Sequence, residues 1–357
     1  MTLEAIERIR PVDAGWMERA RARQLELTKP PESLGRLEEI ANRLAAIQRT
    51  LKPKVEKPRI VVFAADHGVC AEGVNPYPQA VTAQMVVNFL RGGAAINALA
   101  RAAGVELDIV DAGVASEIPY RMGLVSRPVG RGTRNFCDGP AMTREQAVTA
   151  ITLGAEMAEA ACAGGCTLLG MGEMGIGNTT AASAVTAALT GLPAAAVIGR
   201  GTGADEGCMA KKRSAVERAM ERHRDSFCEP MGILERVGGF EIGAMCGLCL
   251  GAAANSCAVL VDGFIATAAA ALAVRFCGQV RDYLIAAHRS TEPGHGPLLE
   301  ILGQRPLLDL EMRLGEGTGA ALAVPVVRAA VEAFTHMATF AAAGVSEAAE
   351  PATAGEA

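Results

Sequence analysis

Two glutamates in glycine-rich stretches are the residues of this chain best suited to acid–base chemistry. Glu173 lies within "GMGEMGIGN", and Glu316 lies within "RLGEGTG", where a glycine flanks it on either side. A carboxylate in an uncharged, close-packed segment can accept a proton from a substrate if burial raises its pKa towards neutrality. Capping of a helix N-terminus is the structural alternative for Glu316, and it would lower the pKa instead. Composition alone does not decide between the two.

The residues that follow Glu173 have the features of a phosphate-binding turn. Gly175 and Gly177 permit close approach of the backbone to a ligand, and Asn178, Thr179 or Thr180 can cap the helix that follows. The free N–H groups and positive dipole end of that helix would attract a phosphate. A tight turn that holds no ligand is the structural alternative.

A second glycine-rich loop, "GRGTGAD", contains Gly201 and Gly203. Lys211 and Lys212 follow about two helical turns later, and a lysine there can reach back to a phosphate as a point charge. Solvated surface lysines are the alternative for this pair. The sequence does not separate the two lysines.

Other familiar motifs are incomplete. Gly170, Gly172 and Gly175 spell G-x-G-x-x-G, but the acidic residue that dinucleotide sites carry about 20 residues later is missing from "PAAAVIG". The five histidines show no metal-ligand spacing, so we expect no metal. Cys246 and Cys249 form a C-x-x-C without a second pair, which favours buried thiols over a zinc site.

Short apolar runs alternate with helical segments from Arg59 onwards. This alternation predicts an α/β fold with a parallel sheet covered by helices on both faces. Ligands of such sheets bind outside the carboxyl ends of the strands, where both glutamates and both glycine loops fall. The predicted strands begin the segments RIVVFAADHG, ELDIVDAGV, CTLLGMGEMGIGN, AAAVIGRGTGAD, AVLVDGF and PLLDLEMRLGEGTG.

Composition narrows the class of protein. The 357 residues carry a formal net charge of −5 and no basic block, which argues against nucleic acid or an anionic membrane as a partner. The charged first residues contain no apolar signal-peptide core, so we expect a cytoplasmic protein with reduced cysteines. The apolar stretch 242–261 predicts a buried helix followed by a strand rather than a membrane span.

Taken together, several long segments resemble the nicotinate-nucleotide–dimethylbenzimidazole phosphoribosyltransferase family. They span residues 28 to about 343 in the order that the family has them. One departure is Glu32, where the family usually has glycine, and this puts the local turn in doubt. The segments are TKPPESLGRLEEIA, AADHGVCAEGVNPYPQAVTAQMVVNFLRGGAAIN, GMGEMGIGNTTAASA, GRGTG, GGFEIGAMCG, VDGFI, HRSTEPGH and LLDLEMRLGEGTGAALA.

The resemblance implies a reaction and an architecture. Nicotinate mononucleotide and dimethylbenzimidazole would give α-ribazole 5'-phosphate and nicotinate, with inversion at the anomeric carbon and without a cofactor. It also implies a homodimer with a Rossmann-like catalytic domain over residues 56–325. Residues 1–55 and 326–346 would form a small helical domain, and we expect 347–357 to be a disordered tail.

The resemblance also implies roles for individual residues. The catalytic base of the family falls on Glu316, and its second active-site glutamate falls on Glu173. The lysine that contacts phosphate falls on Lys212, with Lys211 as its neighbour. The benzimidazole pocket includes Gln84, from the V-T-x-Q-M motif, and we expect it to include Tyr77, Met174 and Leu314 as well.

Two other functions remain as alternatives at this point. An NAD-dependent oxidoreductase would use the glycines from Gly170 to Gly175. A protein that binds benzimidazoles or nucleotides without catalysis would have no use for two carboxylates in glycine-lined loops.

Overall fold

The computed structural model describes residues 6–201 and 203–346, and they fall into two units. The larger unit comprises Val55–Pro325 together with the residues up to Val12. The smaller unit comprises Asp13–Lys54 and the residues from Val326 onwards. The boundary after Pro325 falls within a single helix. The tail predicted over 347–357 lies outside the described residues.

The larger unit is built on a six-stranded parallel sheet with the strand order β3-β2-β1-β4-β5-β6. This confirms the predicted α/β class. The strand order reverses between β1 and β4, and such a reversal opens a crevice at the carboxyl ends of the strands. The strands are β1 Arg59–Ala65, β2 Glu106–Gly113, β3 Leu124–Ser126, β4 Leu168–Met174, β5 Ala258–Val261 and β6 Leu284–Ala286.

One or more helices follow each strand except β2, which is followed directly by β3. They are α1 Ala14–Glu26, α2 Arg36–Gln48, α3 Val81–Leu90, α4 Ala95–Ala103, α5 Arg144–Ala163, α6 Asn178–Thr190, α7 Ala194–Val197, α8 Glu206–His223, α9 Pro230–Val237, α10 Phe240–Ala254, α11 Phe264–Phe276, α12 His295–Leu302, α13 Thr318–His336 and α14 Phe340–Ala343.

Small residues let the central helices pack with their backbones in contact. A Cβ added at Gly154 of α5 would lie 1.7 Å from the carbonyl oxygen of Ala244 in α10, so only glycine fits there. Cys246 and Cys249 lie on α10, and both are fully buried, free thiols, as predicted. The helix and the following strand β5 confirm the prediction for residues 242–261.

Two of the predicted strands are wrong. "AAAVIG" forms the short helix α7 after Pro193, because alanine favours helix over strand. "PLLDLEMRL" makes only one parallel bridge, between His288 and Leu308. The sheet instead contains two three-residue strands that were not predicted, β3 and β6. Runs that short carry too few side chains to show a periodicity.

The smaller unit joins the two ends of the chain. Leu27 forms an antiparallel bridge with Thr339, and a buried ion pair joins Lys29 to Glu38 at 2.7 Å. Glu32 has a φ of 61°, in the left-handed region that glycine adopts without strain. The turn that the sequence put in doubt therefore keeps a glycine-like conformation with a glutamate in place.

The helix Thr318–His336 is long and apolar enough to cross a membrane by length and composition. However, 56% of its apolar window is buried inside the protein. Such burial is typical of a core helix, which has the same composition as a membrane span.

Candidate active site

A cavity of about 600 Å³ lies at the carboxyl ends of β4, β5 and β6 in the larger unit. Its wall is formed by residues at or after the ends of these three strands, by the loop 313–316, by Gly201, and by residues between Asn75 and Met85. The volume is in the range of small-molecule sites. Nine residues of the predicted site line it: Tyr77, Glu173, Met174, Gly175, Asn178, Thr179, Gly201, Leu314 and Glu316.

The two glutamates of the prediction are brought together through glycines. Glu173 lies near the end of β4, and a Cβ added at Gly315 would lie 2.1 Å from its Oε1. A Cβ added at Gly172 would lie 2.4 Å from the carbonyl oxygen of Glu316. Each glutamate therefore packs against a glycine that is the chain neighbour of the other. Any larger residue at either glycine would separate them.

The Glu316 loop has an unusual backbone. Glu316 has a φ of 62°, and Gly315 and Gly317 on either side have φ values of 87° and 86°. A non-glycine residue held in the left-handed region between two glycines is strained, and such strain concentrates at functional sites.

Burial raises the pKa of Glu316, and the negative charge of Asp262 adds to this effect. The N–H of Ile96, in the first turn of α4, donates to Oε2 at 3.3 Å and opposes the rise. Glu316 does not cap the helix α13 that follows it. Asp262 fulfils that role, because its carboxylate accepts the N–H groups of Gly317, Gly319 and Ala320.

Glu173 is the more strongly perturbed carboxyl. Burial raises its pKa to about 8, with further contributions from the negative charges of Asp262, Glu241 and Glu316. The amide of Asn178 donates to Oε2 and lowers the pKa in part. Glu173 is therefore mostly protonated at neutral pH.

Asp262 directly follows β5, His288 lies two residues after β6, and both line the cavity. Their closest approach is 3.6 Å, between Nε2 of His288 and Oδ1 of Asp262, and both side chains are buried. Both ring nitrogens of His288 lack a hydrogen-bond partner among the described residues. Burial raises the pKa of Asp262, while His288 and the three N–H groups lower it in part.

Arg313, Lys212 and the Glu292 carboxylate meet around Gly201, whose N–H donates to Oε1 of Glu292 at 2.9 Å. Arg313 lines the cavity and donates to the carbonyl oxygen of Gly201. The ammonium of Lys212 is buried behind this wall, 3.3 Å from Oγ1 of Thr179. Burial lowers the pKa of Lys212, and the nearby Glu292 carboxylate raises it in part. Lys211, by contrast, is exposed.

The Gly175–Thr180 turn differs in detail from the prediction. Gly177, with a φ of 94°, is the N-cap of α6, and no side chain caps the helix. The Asn178 amide binds Glu173 instead. The N–H groups of Ile176, Asn178 and Thr180 already donate to protein oxygens, so they are not free for a ligand. Binding of a phosphate by the remaining N–H groups of this turn stays a prediction.

Some predicted site residues do not line the cavity. The wall contains Val81 and Met85 of α3, whereas Gln84 on the same helix is exposed. Gly203 is also exposed, and its N–H donates to the carbonyl oxygen of Arg200. Outside the wall as well are Gly177, Thr180 and Lys212, all packed behind it or at its base.

The G-x-G-x-x-G pattern is not a dinucleotide-binding turn between a strand and a helix. Gly170 and Gly172 lie inside β4 rather than between a strand and a helix. They allow neighbouring segments to approach, and a Cβ at Gly170 would lie 2.9 Å from Ile60 of β1.

Several cavity residues were missed by sequence reasoning. Asp262 stands directly after the strand predicted at the start of AVLVDGF, so a signal was present. No periodicity marks the others as facing a cavity. The missed residues include Asn75, Val81, Met85, Asp262, Phe264, His288, Ser290, Glu292 and Arg313.

No group of three or more His, Cys, Asp or Glu side chains within residues 6–201 and 203–346 is placed to hold a metal ion. Both oxygens of Asp262 accept backbone N–H groups of the protein.

Residues 9–345 match a family model described as phosphoribosyltransferase. The match covers nearly the whole chain, including every residue of the cavity wall. The chain belongs to this family. It is therefore an enzyme of the phosphoribosyltransferase class, which decides against the oxidoreductase alternative.

Several similar proteins are named for one specific phosphoribosyl transfer. A nicotinate-nucleotide–dimethylbenzimidazole phosphoribosyltransferase of Geobacter metallireducens is 51% identical over 97% of this chain and 99% of its own length. The protein of that name from Thermus thermophilus is 53% identical over 92% of this chain and 97% of its own. A crystal structure of the enzyme from Thermus thermophilus superposes with a TM-score of 0.89, covering 94% of this chain and 100% of the other at 51% identity.

Proposed function

We propose that this enzyme transfers the phosphoribosyl group of nicotinate mononucleotide to dimethylbenzimidazole. The products are α-ribazole 5'-phosphate and nicotinate, formed with inversion at the anomeric carbon. The names of the similar proteins supply the two substrates. The observation that carries the proposal is the presence of two buried glutamates in one cavity, Glu173 and Glu316.

The charge distribution of the cavity matches a zwitterionic substrate. Nicotinate mononucleotide has a cationic pyridinium on its ribose and a phosphate at the other end. The phosphate is placed near Gly201, where Arg313 and Lys212 supply positive charge. The pyridinium and the cationic ribose of the transition state are placed near Glu173 and Asp262. One cavity thereby serves both ends of the nucleotide.

Glu316 acts as the general base. Dimethylbenzimidazole attacks through one ring nitrogen and must lose the proton from the other. Removal of that proton by the Glu316 carboxylate prevents positive charge from building up on the nucleophile. The raised pKa of Glu316 supports this role, because a more basic carboxylate is a better proton acceptor.

The orientation of the two bound substrates relative to each other supplies the rest of the rate acceleration. The leaving nicotinate departs from a pyridinium and needs no strong acid. If the two substrates are bound on opposite sides of the ribose, attack opposite the leaving group produces the α configuration. The apolar part of the wall, with Tyr77, Met85, Met174 and Leu314, suits the flat benzimidazole. Gln84 stays a prediction as a contact to this base.

The reaction is tested by incubating the purified enzyme with both substrates and separating the products by chromatography with mass detection. Nicotinate and ribazole phosphate in equal amounts support the proposal. Nicotinate release without ribazole phosphate indicates a different acceptor base, and other azoles are then tried. Binding of both compounds without any product favours the non-catalytic binding protein.

Replacing Lys212 with methionine tests the phosphate pole. The substitution keeps the length of the side chain and removes its charge, so we expect the KM for nicotinate mononucleotide to rise about 10- to 100-fold, more than kcat falls. Lys211→Met is the matched control, because Lys211 is its exposed neighbour. An effect of Lys211→Met alone would transfer the role to that residue.

A homodimer is also proposed, on the basis of the resemblance. Tyr77 and Leu314 line the cavity and are 50% and 54% exposed, which is unusual for large apolar side chains at a substrate site. Light scattering measures the mass in solution, and a monomer would argue against this proposal.

A further inference from the structure

The turn after Glu173 is hydrogen-bonded to side chains that lie outside the cavity wall. These side chains bind both backbone polar groups of Ile176. Its N–H donates to Oγ1 of Thr82 at 3.1 Å, and its carbonyl oxygen accepts from Sγ of Cys70 at 3.0 Å. The centre of the turn is thus held from behind by two side chains.

The hydroxyl of Thr82 has a defined orientation. It donates its proton to Oδ1 of Asp66 at 2.7 Å, which leaves an oxygen lone pair to accept from Ile176. The other oxygen of Asp66 accepts from the N–H of Ala115 at 2.8 Å. Thr82, Asp66 and Ile176 are all buried, so no water competes for these bonds.

The turn also has no room to move towards β1. A Cβ added at Gly175 would lie 2.3 Å from the carbonyl oxygen of Ala65, and one at Gly177 would lie 2.7 Å from Sγ of Cys70. His67 packs against the same turn, and its Nε2 makes a fully buried hydrogen bond with Oε1 of Glu241 at 2.6 Å. The turn is therefore held by packing as well as by hydrogen bonds.

Thr82 connects this turn to another part of the wall. It lies on α3, the helix whose Val81 and Met85 face the cavity. Its hydroxyl bonds to the segment that carries Glu173 and Thr179. A single buried hydroxyl thus joins the apolar wall to the turn beside the nucleotide.

We propose that Thr82 is a positioning residue for phosphoribosyl transfer, which holds the Gly175–Gly177 turn and the α3 wall at the spacing that aligns the nucleotide with the attacking base. This inference rests on the proposed function. Thr82 does not line the cavity, so it acts through Ile176 rather than on the substrate. A small shift of a positioned substrate lowers the rate strongly, because attack requires near-contact geometry.

Thr82→Val is the direct test, since valine keeps the shape and removes the hydroxyl. The substitution leaves the N–H of Ile176 without its partner, so we expect the KM for nicotinate mononucleotide to rise about 10-fold and kcat to fall as well. Thr82→Ser keeps the hydroxyl and should restore a KM near that of the wild type. Calorimetric titration with nicotinate mononucleotide measures the same loss without turnover.

Thr186→Val is the matched control. Thr186 is also fully buried, but within the described part of the chain its hydroxyl bonds only to the carbonyl oxygen of Ala182 in its own helix. We expect a change in Tm and an unchanged KM. If Thr82→Val also lowers only Tm and leaves both KM and the calorimetric affinity unchanged, Thr82 is structural and the inference is wrong. If the wild type binds the nucleotide but makes no ribazole phosphate, the proposed function fails, while the titration still tests whether Thr82 orders the nucleotide site.

Discussion

Glu316→Gln is expected to lower kcat by about 10²- to 10⁴-fold, which is the usual contribution of a general base. Glutamine keeps the size of the side chain and can still accept the N–H of Ile96, so the fold and the binding of both substrates should be retained. The measurement is steady-state turnover, with substrate affinities determined separately by calorimetry.

Glu311→Gln is the matched control for this substitution. Glu311 lies in the segment that leads to Glu316, and it also has a positive φ, of 55°, but its side chain is exposed and does not line the cavity. We expect normal turnover from this variant. Near-normal turnover of Glu316→Gln would remove Glu316 from the role of base and leave Glu173 or Asp262 to be tested.

Glu173→Gln is expected to make the protein more stable at alkaline pH. The folded state raises the pKa of Glu173 from 4.5 to about 8, so it keeps a proton that the unfolded chain loses over this range. The wild type therefore loses free energy of unfolding as pH rises from about 4.5 to about 8, while glutamine does not titrate. The gain of the variant should be near zero at pH 4.5 and on the order of a few kcal/mol at pH 9.

Thermal unfolding over a series of pH values measures this difference. Glu300→Gln, an exposed position on α12, provides the control and should follow the wild type at every pH. A stability gain that is the same at pH 5 and pH 9 would contradict the assignment of the raised pKa to Glu173.

The same substitution is expected to weaken nucleotide binding. A bound pyridinium favours the ionised form of Glu173, so binding at pH 7 should release a proton from the wild type. Glu173→Gln should raise the KM for nicotinate mononucleotide and abolish this release. Calorimetry in two buffers of different ionisation enthalpy detects the proton. Both results together would show that the buried Glu173 carboxyl lowers the stability of the fold but improves binding of the cationic nucleotide.

Much of the fold and the site was accessible from the sequence because it depends on local patterns. The strands β1, β2, β4 and β5 are apolar runs followed by glycine or aspartate, a pattern typical of buried parallel strands. Glu173 and Glu316 were conspicuous because a carboxylate is rare among so many glycines. The family resemblance rests on the same stretches, and the family match confirms it.

Elements whose signal is not local were predicted poorly. The alanines of "AAAVIG" form α7 although the run is apolar, and β3 and β6 are too short to show a period. Gly170 and Gly172 imitate a nucleotide-binding motif, but they lie in the middle of β4, where their lack of a side chain admits Ile60 and Glu316.

By itself, the sequence determined the α/β class, the family and the two glutamates, since these follow from the order and spacing of residues along the chain. Only the tertiary structure decided that Lys212 and not Lys211 is buried beside Thr179. It also decided that the segments around Glu173 and Glu316, far apart in the chain, meet through Gly172 and Gly315. The physical reason is that the burial of a side chain, its pKa and its distance from other side chains depend on which segments pack together. The local sequence of one segment does not specify which distant segments it will contact.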